Sequence, residues 1–585
     1  MQDTWKLNTL YQSEKDPQIQ KDIDKGILLA KKFVEKWKKD KEYTKNPEIL
    51  KNALDDYEQL ERNSTYIKPY LYFRLRAHLD QTNPAIKAEN NKLDDISTKL
   101  GNEMQFFDLN ISKIPKNKQS QFLNYKGLEP YKHYLEHSFR GSQYLLSDKE
   151  EKVFNLTSKT SYSNWVDMMN ELLDKQELTV VDEKNKRQKI HYNDTAKYIN
   201  SSIKKVRDYS ANEYNKINEK YMEIAEFEIN SILEKRKVSE EYRKIPRPDT
   251  LRHISDDIET EIVDTLISTV TKNFDISQSY YQKKAQLLGQ KHLAYYERTV
   301  PAGKISKQYT FDEAIDLVKD TFNGIDPQFG DIVSTFEALG QYDVYPKKGK
   351  SGGAFCLSWG RDFHPYILLN FANRLEDVLT IAHESGHGIH DELSKKQNAL
   401  NDGTPISLAE VASTFFEDFV LNRLLKDTKD KTEKEALLEK SLNDNVSTIF
   451  RQVAFYNFEK DLHKDFNEKG FLPKEYISEL FCKHMKAYMG EAVLEDDSMR
   501  TGWIYISHFR RPFYVYSYAS GLLISKALQE MVREDKKNIK YVKTFLESGS
   551  SKSPKELFLS MGIDITKETF WEKGIDNVRK ELNNL

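Results

Sequence analysis

IAHESGHGIH, residues 381–390, is the stretch on which the reading of this 585-residue chain turns. It holds His-Glu-x-x-His, with His383 and His387 four apart and Glu384 between them. On a helix, positions i and i+4 lie one above the other on one face, so both imidazoles reach a single ion. Glu384 is displaced from that pair, yet near enough to take a proton from a water held there. Those residue types at that spacing point to metal-assisted hydrolysis of peptide bonds. The competing reading is a chance match on a buried or solvated helix.

A hydrolytic zinc site takes three protein ligands and keeps one position open. The pattern His-Glu-x-x-His-x-x-Gly-x-x-His requires Gly at 390 and His at 393, where this chain has His390 and Leu393, so that class is excluded. A carboxylate further along is the better candidate. A turn-rich break spans residues 398–405, and Ser407-Leu-Ala-Glu410 then opens a new apolar-periodic run. Ser407 with Glu410 three residues on has the form of a capping box. Metal ligation is the rival role for Glu410, because a tight return sets the first turn of the new helix against the preceding one. Glu417, seven residues further on the same face, is placed to accept the second N–H of a ligating histidine or to sit as a surface charge. Asp418 reads as a surface charge, and His390 as a packed histidine or one just outside the ligand set.

The rest of the chain sets bounds. A formal charge of -3 calls for neither nucleic acid nor an anionic membrane. Cys356 and Cys482 are too few for a disulfide scaffold. No stretch has the apolar length of a signal peptide or a membrane span, so a cytoplasmic location is expected. Helical periodicity dominates, most clearly over 22–43, 54–79, 85–107 and 201–236. Strand-like alternation is confined to 177–181 with 188–191, and to 354–359 with 366–371. The second pair precedes the His-Glu-x-x-His stretch. It reads either as an edge that accepts a substrate backbone or as a core hairpin. The charged segment 182–189 suggests a division into an N-terminal helical lobe, 1–185, and a catalytic region, 186–585.

HESGH at 383–387 followed by AEVASTFFE at 409–417 resembles the thimet-oligopeptidase-like metallopeptidases, most closely the oligoendopeptidase F family. Other segments agree in order along the chain: WKLNTLY at 5–11, LLGQKHLAYYE at 287–297, VYPKKGKSGGAFCLSWG at 344–360, PYILLNF at 365–371 and HFRRPFYVYSYASG at 508–521. The resemblance implies a mainly α-helical, two-lobed zincin-type fold with a deep central channel and a small β-sheet beside the metal helix. It implies one Zn2+ per chain, held by His383, His387 and Glu410, with Glu384 as general base and Glu417 supporting the ligands. Gly352, Gly353, Ala354, Phe355, Cys356 and Leu357 would hydrogen-bond the substrate backbone.

His508, Tyr514 and Tyr518 match the family's site-lining residues, and they are candidates to stabilise the oxyanion of the tetrahedral intermediate. Phe513, Tyr514, Tyr516 and Tyr518 also fit a plain aromatic core stripe. The implied activity is zinc-dependent cleavage of internal bonds in short, unstructured oligopeptides. The alternatives are a metal-dependent aminopeptidase or carboxypeptidase, and a catalytically inactive helical peptide-binding protein. The oligomeric state stays open, with a monomer the leading expectation. Two departures from the family pattern, Arg510 in place of Tyr and Trp359-Gly-Arg-Asp in place of Pro-Gly, are expected to lie near the substrate.

Overall fold

Asp16-Pro17, Asn46-Pro47 and Asn83-Pro84 each start a helix in the same way. The Asp or Asn side chain accepts a first-turn N–H, and the proline takes the first helical position, where its missing N–H costs nothing. The resulting helices, Pro17–Trp37, Pro47–Glu61 and Pro84–Met104, bury aromatic and aliphatic side chains such as Phe33, Trp37, Leu54 and Leu100 in one cluster. The helix expected over 54–79 is two helices, Pro47–Glu61 and Ser64–Leu79. The break falls at Arg62-Asn63, and Asn is among the residues that compete with helical hydrogen bonding.

The structure, a computed structural model, describes residues 3–585, apart from the side chains at 64–66 and 148. The chain forms two compact units, each assembled from three stretches. The first unit comprises Met1–Gln143, Lys307–Lys426 and Leu528–Ile563. The second comprises Tyr144–Ser306, Asp427–Ala527 and Asp564–Leu585. The charged segment 182–189 lies inside the second unit.

In the first unit, capping sets up the frame around the His-Glu-x-x-His stretch. Thr310 and Glu313 form a capping box at the start of helix α1 (Phe311–Ile325), and Asp326 caps helix α2 (Pro327–Ala338). Three short strands follow: β1 (Tyr342–Asp343), β2 (Phe355–Leu357) and β3 (Tyr366–Leu368). Their order is β1-β3-β2, with β1 parallel to β3 and β2 antiparallel to it, Cys356 opposite Ile367. β2 is thus an edge strand, as an acceptor of an added strand must be. Trp5 ties the start of the chain to this sheet, its Nε1 donating to the carbonyls of Gln341 and Ile367, each at 2.9 Å.

Helix α3 (Leu375–Ser394) carries the motif and packs on β2 and β3. Its inward residues, among them Val378, Ile381, Ala382 and Ile389, are fully buried. Burial of one such aliphatic side chain is worth roughly 1.5–3 kcal/mol, so the helix is held firmly against the sheet. Tyr342 on β1 adds a buried hydrogen bond to Ser385 Oγ at 2.9 Å. After residues 398–405 the chain turns back into helix α4 (Ala409–Asp427). Phe416 of α4 packs edge-on against Phe329 of α2 at 5.0 Å and tilted against Phe322 of α1 at 4.6 Å.

The second unit is built around a 40-residue helix, Lys204–Arg243. The hairpin expected from 177–181 and 188–191 is present, with Leu178 opposite Ile190. Leu293–Ala294 also pairs in parallel with Val493–Leu494. Among the described residues, no helix is long and apolar enough to cross a membrane.

Candidate metal centre

The two glycines of His-Glu-Ser-Gly-His-Gly decide how closely α3 is approached. A Cβ on Gly386 would lie 2.8 Å from Ser413 Cα and 3.1 Å from the Ala412 carbonyl oxygen of α4. A Cβ on Gly388 would lie 2.8 Å from the Phe336 ring of α2. Glycine at 386 therefore lets the first turn of α4 sit against the two histidines, where one methyl group would force the backbones apart.

That approach brings Glu410 to the imidazoles. Glu410 Oε2 lies 3.4 Å from His383 Nε2 and 3.6 Å from His387 Nε2. Each of the three residues offers a donor atom within 4.8 Å of the others. Ser413 Oγ donates to the same Glu410 oxygen at 3.0 Å. The Glu410 carboxylate is thus turned to the histidines and Ser413. On the far side of His383, Nδ1 lies 2.9 Å from Glu417 Oε2. With Nδ1–H donating to that carboxylate, Nε2 is the atom turned to Glu410 and would offer its lone pair to an ion held there.

Glu384 is buried beside this group, and the backbone N–H of Cys356 on β2 acts to lower its carboxyl. Burial pushes its carboxyl up to about 7, with His383 opposing and Glu410 adding to the rise. Burial alone would lower His383, but its hydrogen bonds to Glu410 and Glu417 hold it well above the usual imidazole range. Burial likewise works against Glu410, yet His383 and His387 bring it below the usual carboxylate range. Three carboxylates around two imidazoles make a pocket that favours an added positive charge.

The donor set fits zinc. Adjacent ligands of a tetrahedral zinc with bonds of about 2.1 Å stand roughly 3.4 Å apart. The two His–Glu separations of 3.4 and 3.6 Å match that spacing before any adjustment.

The neighbours expected from sequence fall into distinct places. Gly352 and Gly353 are exposed, and Asn370 Nδ2 pins the turn by donating to the carbonyls of Ser351 and Gly353 at 2.9 and 2.7 Å. Ala354, Phe355, Cys356 and Leu357 are half-buried along the edge strand. His390 is packed in the core against Phe545 at 5.0 Å, and burial pushes it down to about 3. Sequence reasoning missed Ser413 and also Asp391, whose carboxylate lies 3.9 Å from Cys356 Sγ. Spacing carried the signal for both, since Ser413 follows Glu410 by three residues and Asp391 follows His387 by four.

His508, Tyr514 and Tyr518 belong to the second unit and form their own cluster. Their ring centroids lie 5.4–5.8 Å apart, and Tyr514 Oη is hydrogen-bonded to His508 Nδ1. Burial lowers His508 to about 4, with Arg451 adding to the effect, so its imidazole is neutral at ordinary pH. Burial and the hydrogen bond to Tyr518 raise the Tyr514 phenol, which therefore keeps its proton. Tyr516 is different: it is fully buried and donates to Asp256 Oδ2 at 2.6 Å, a core role. Arg510, expected near the substrate, is instead buried in a bidentate pair with Glu228, Nε at 3.0 Å and Nη2 at 2.6 Å. It also donates to the carbonyl of Trp503, so its charge holds the fold of its own unit.

A helical body carrying two histidines and a glutamate in this arrangement defines a metallopeptidase of the His-Glu-x-x-His kind. The sequence profile described as Peptidase family M3 matches residues 197–577, and that described as Oligopeptidase F matches residues 110–174. The first match alone spans well over half of the chain, and the chain belongs to peptidase family M3.

Among curated relatives, the oligoendopeptidase F homolog of Borreliella burgdorferi is 27% identical, over 100% of this chain and 98% of its own length. Oligopeptidase PepF of Bacillus subtilis is 25% identical over 97% of this chain and 84% of its own. A solved chain from Chlamydophila abortus superposes with a TM-score of 0.86 at 26% identity, covering 100% of this chain and 98% of that one. Oligoendopeptidase-F from Enterococcus faecium shares the fold, with a TM-score of 0.71 at 19% identity over 97% and 98% of the two chains.

Proposed function

We propose that this chain is a zinc-dependent endopeptidase that hydrolyses internal peptide bonds of short, unstructured oligopeptides. The observation that carries the reading is the convergence of His383, His387 and Glu410 with a buried Glu384 beside them. His383, His387 and Glu410 would hold the ion, and Glu417 fixes the His383 ring through Nδ1. Zinc, when bound, supplies the Lewis acidity that polarises a peptide carbonyl and acidifies a water. Glu384 takes the proton of the attacking water on its carboxylate and passes it to the departing amine. The Cys356 N–H favours the ionised form that a base needs.

The edge of β2 receives the substrate backbone as an added strand, with the exposed Gly352-Gly353 turn admitting the chain. His508 and Tyr518 donate to the oxyanion, and Tyr514 holds His508 through Nδ1. Support for those roles comes from the family pattern and from the protonation state of the cluster, a neutral imidazole beside an intact phenol.

Mass spectrometry of a ten-residue unstructured peptide, before and after chelation and zinc restoration, tests the reading. Internal cuts lost on chelation and regained with zinc are expected. Stepwise loss of single residues from one end would assign an exopeptidase instead. Intact peptide with zinc bound would assign a binding protein.

A further inference from the structure

A cavity of about 220 Å³ lies wholly within the second unit and plays no part in the chemistry above. Three tyrosines shape one side. Tyr192 and Tyr214 stack at 4.5 Å and 16°, and Tyr505 meets Tyr214 edge-on at 5.5 Å. Arg298, which follows the LLGQKHLAYYE segment, lines it as well.

The electrostatics of this cavity are one-sided. Arg298 makes no ion pair among the described residues. Its guanidinium lies over the Tyr295 ring at 4.1 Å, Nη1 donates to the Tyr295 carbonyl at 3.0 Å, and Nη2 has only a long contact of 3.5 Å with Tyr505 Oη. The nearby carboxylates are committed elsewhere. Glu297 is paired with Arg207 at 2.7 Å, and Asp208 with Lys204 at 2.8 Å and with Tyr296 Oη at 2.7 Å. Asp496 caps Asp497–Arg500 and accepts the Tyr295 N–H at 3.0 Å.

No Asp or Glu lines the cavity, in a chain with 92 acidic residues. The amides present donors as well. Asn200 Oδ1 accepts from Thr299 at 2.9 Å and Asn215 Oδ1 from Thr501 at 3.0 Å, which turns the NH2 end of each away from those contacts. A half-buried guanidinium without a counter-ion is partly desolvated at a cost, and a planar carboxylate is the anion its fork of donors matches best. Cation–π contact with Tyr295 offsets only part of that cost.

We propose that this cavity binds a small carboxylate carried on an aromatic body, with Arg298 taking the carboxylate and the Tyr214 and Tyr505 rings packing on the body. The aromatic walls select a ring over a bare anion, since offset and edge-on ring pairs add to the area buried.

Titration calorimetry with benzoate on the zinc-loaded full chain tests the site, alongside Arg298→Leu and Ala196→Trp. Ala196 is exposed at the cavity rim, so the indole closes the entrance without touching the core. We expect saturable binding of one benzoate per chain, weakened by at least about tenfold in each variant. Acetate and inorganic phosphate should bind at least about tenfold more weakly than benzoate to the unmodified chain. If Arg298→Leu does not fold by thermal melting, Ala196→Trp alone decides. Absence of saturable benzoate binding would overturn the site. So would affinity unchanged by the variants, as expected for benzoate held at the zinc. Phosphate bound as tightly as benzoate would overturn the aromatic carboxylate as the ligand class.

Discussion

Two groups of histidine in this molecule differ in every neighbour. In the first unit, His383 and His387 face Glu410, Glu417 and Glu384, and the carboxylates hold His383 above its ordinary range. In the second, His508 is surrounded by Tyr514, Tyr518 and Phe455, and the charge that acts on it is Arg451. Burial and that arginine push it down to about 4. The same side chain is therefore set up for two tasks. Amid carboxylates the imidazoles and their neighbours form a group able to hold a cation; amid phenols the imidazole stays neutral and keeps an N–H to donate.

The largest effect should come from breaking the first group. His387→Ala removes one of three donors, and both zinc content by atomic emission and peptide cleavage should fall to background. Breaking the second group should leave the metal alone. His508→Gln is expected to lower kcat by about 10²–10³ with zinc content unchanged, as for loss of an oxyanion donor. Zinc lost together with activity in that variant would contradict the division of labour.

Smaller effects sharpen the comparison. Gly386→Ala wedges α3 from α4 and should weaken zinc by about 10–100-fold while the protein stays folded, read by competition with a chelator. Glu417→Gln replaces the carboxylate acceptor on His383 Nδ1 and should fall in the lower part of that same range of about 10–100-fold. Neither change should alter the affinity of a substrate analogue that does not touch the metal.

Much of the first group was legible from spacing alone. His383, Glu384 and His387 share a helix, and Glu410 follows the next turn signal, so local periodicity nearly places them. What sequence could not convey was how closely α4 approaches. That depends on Gly386 meeting the Ser413 backbone, a contact between segments with no pattern linking them.

β1 escaped notice because its two residues are too short to show alternation, and it pairs in parallel with a strand more than twenty positions away. The assembly of each unit from three stretches was equally hidden, because the sequence offers only a charged turn near 185 as a boundary signal. The second group was legible only as a crowd of donors. Its sorting into Tyr514 on His508 and Tyr516 on Asp256 rests on which face of the chain meets which partner.

The most direct test of the account is zinc content and peptide turnover measured on one preparation of Glu384→Gln. Glu384 is beside the donors but is not one of them, so the variant should keep one zinc per chain while turnover falls by about 10²–10⁴. Turnover at the unmodified rate would contradict its role as the base, and loss of the zinc would contradict the assignment of His383, His387 and Glu410 as the complete ligand set.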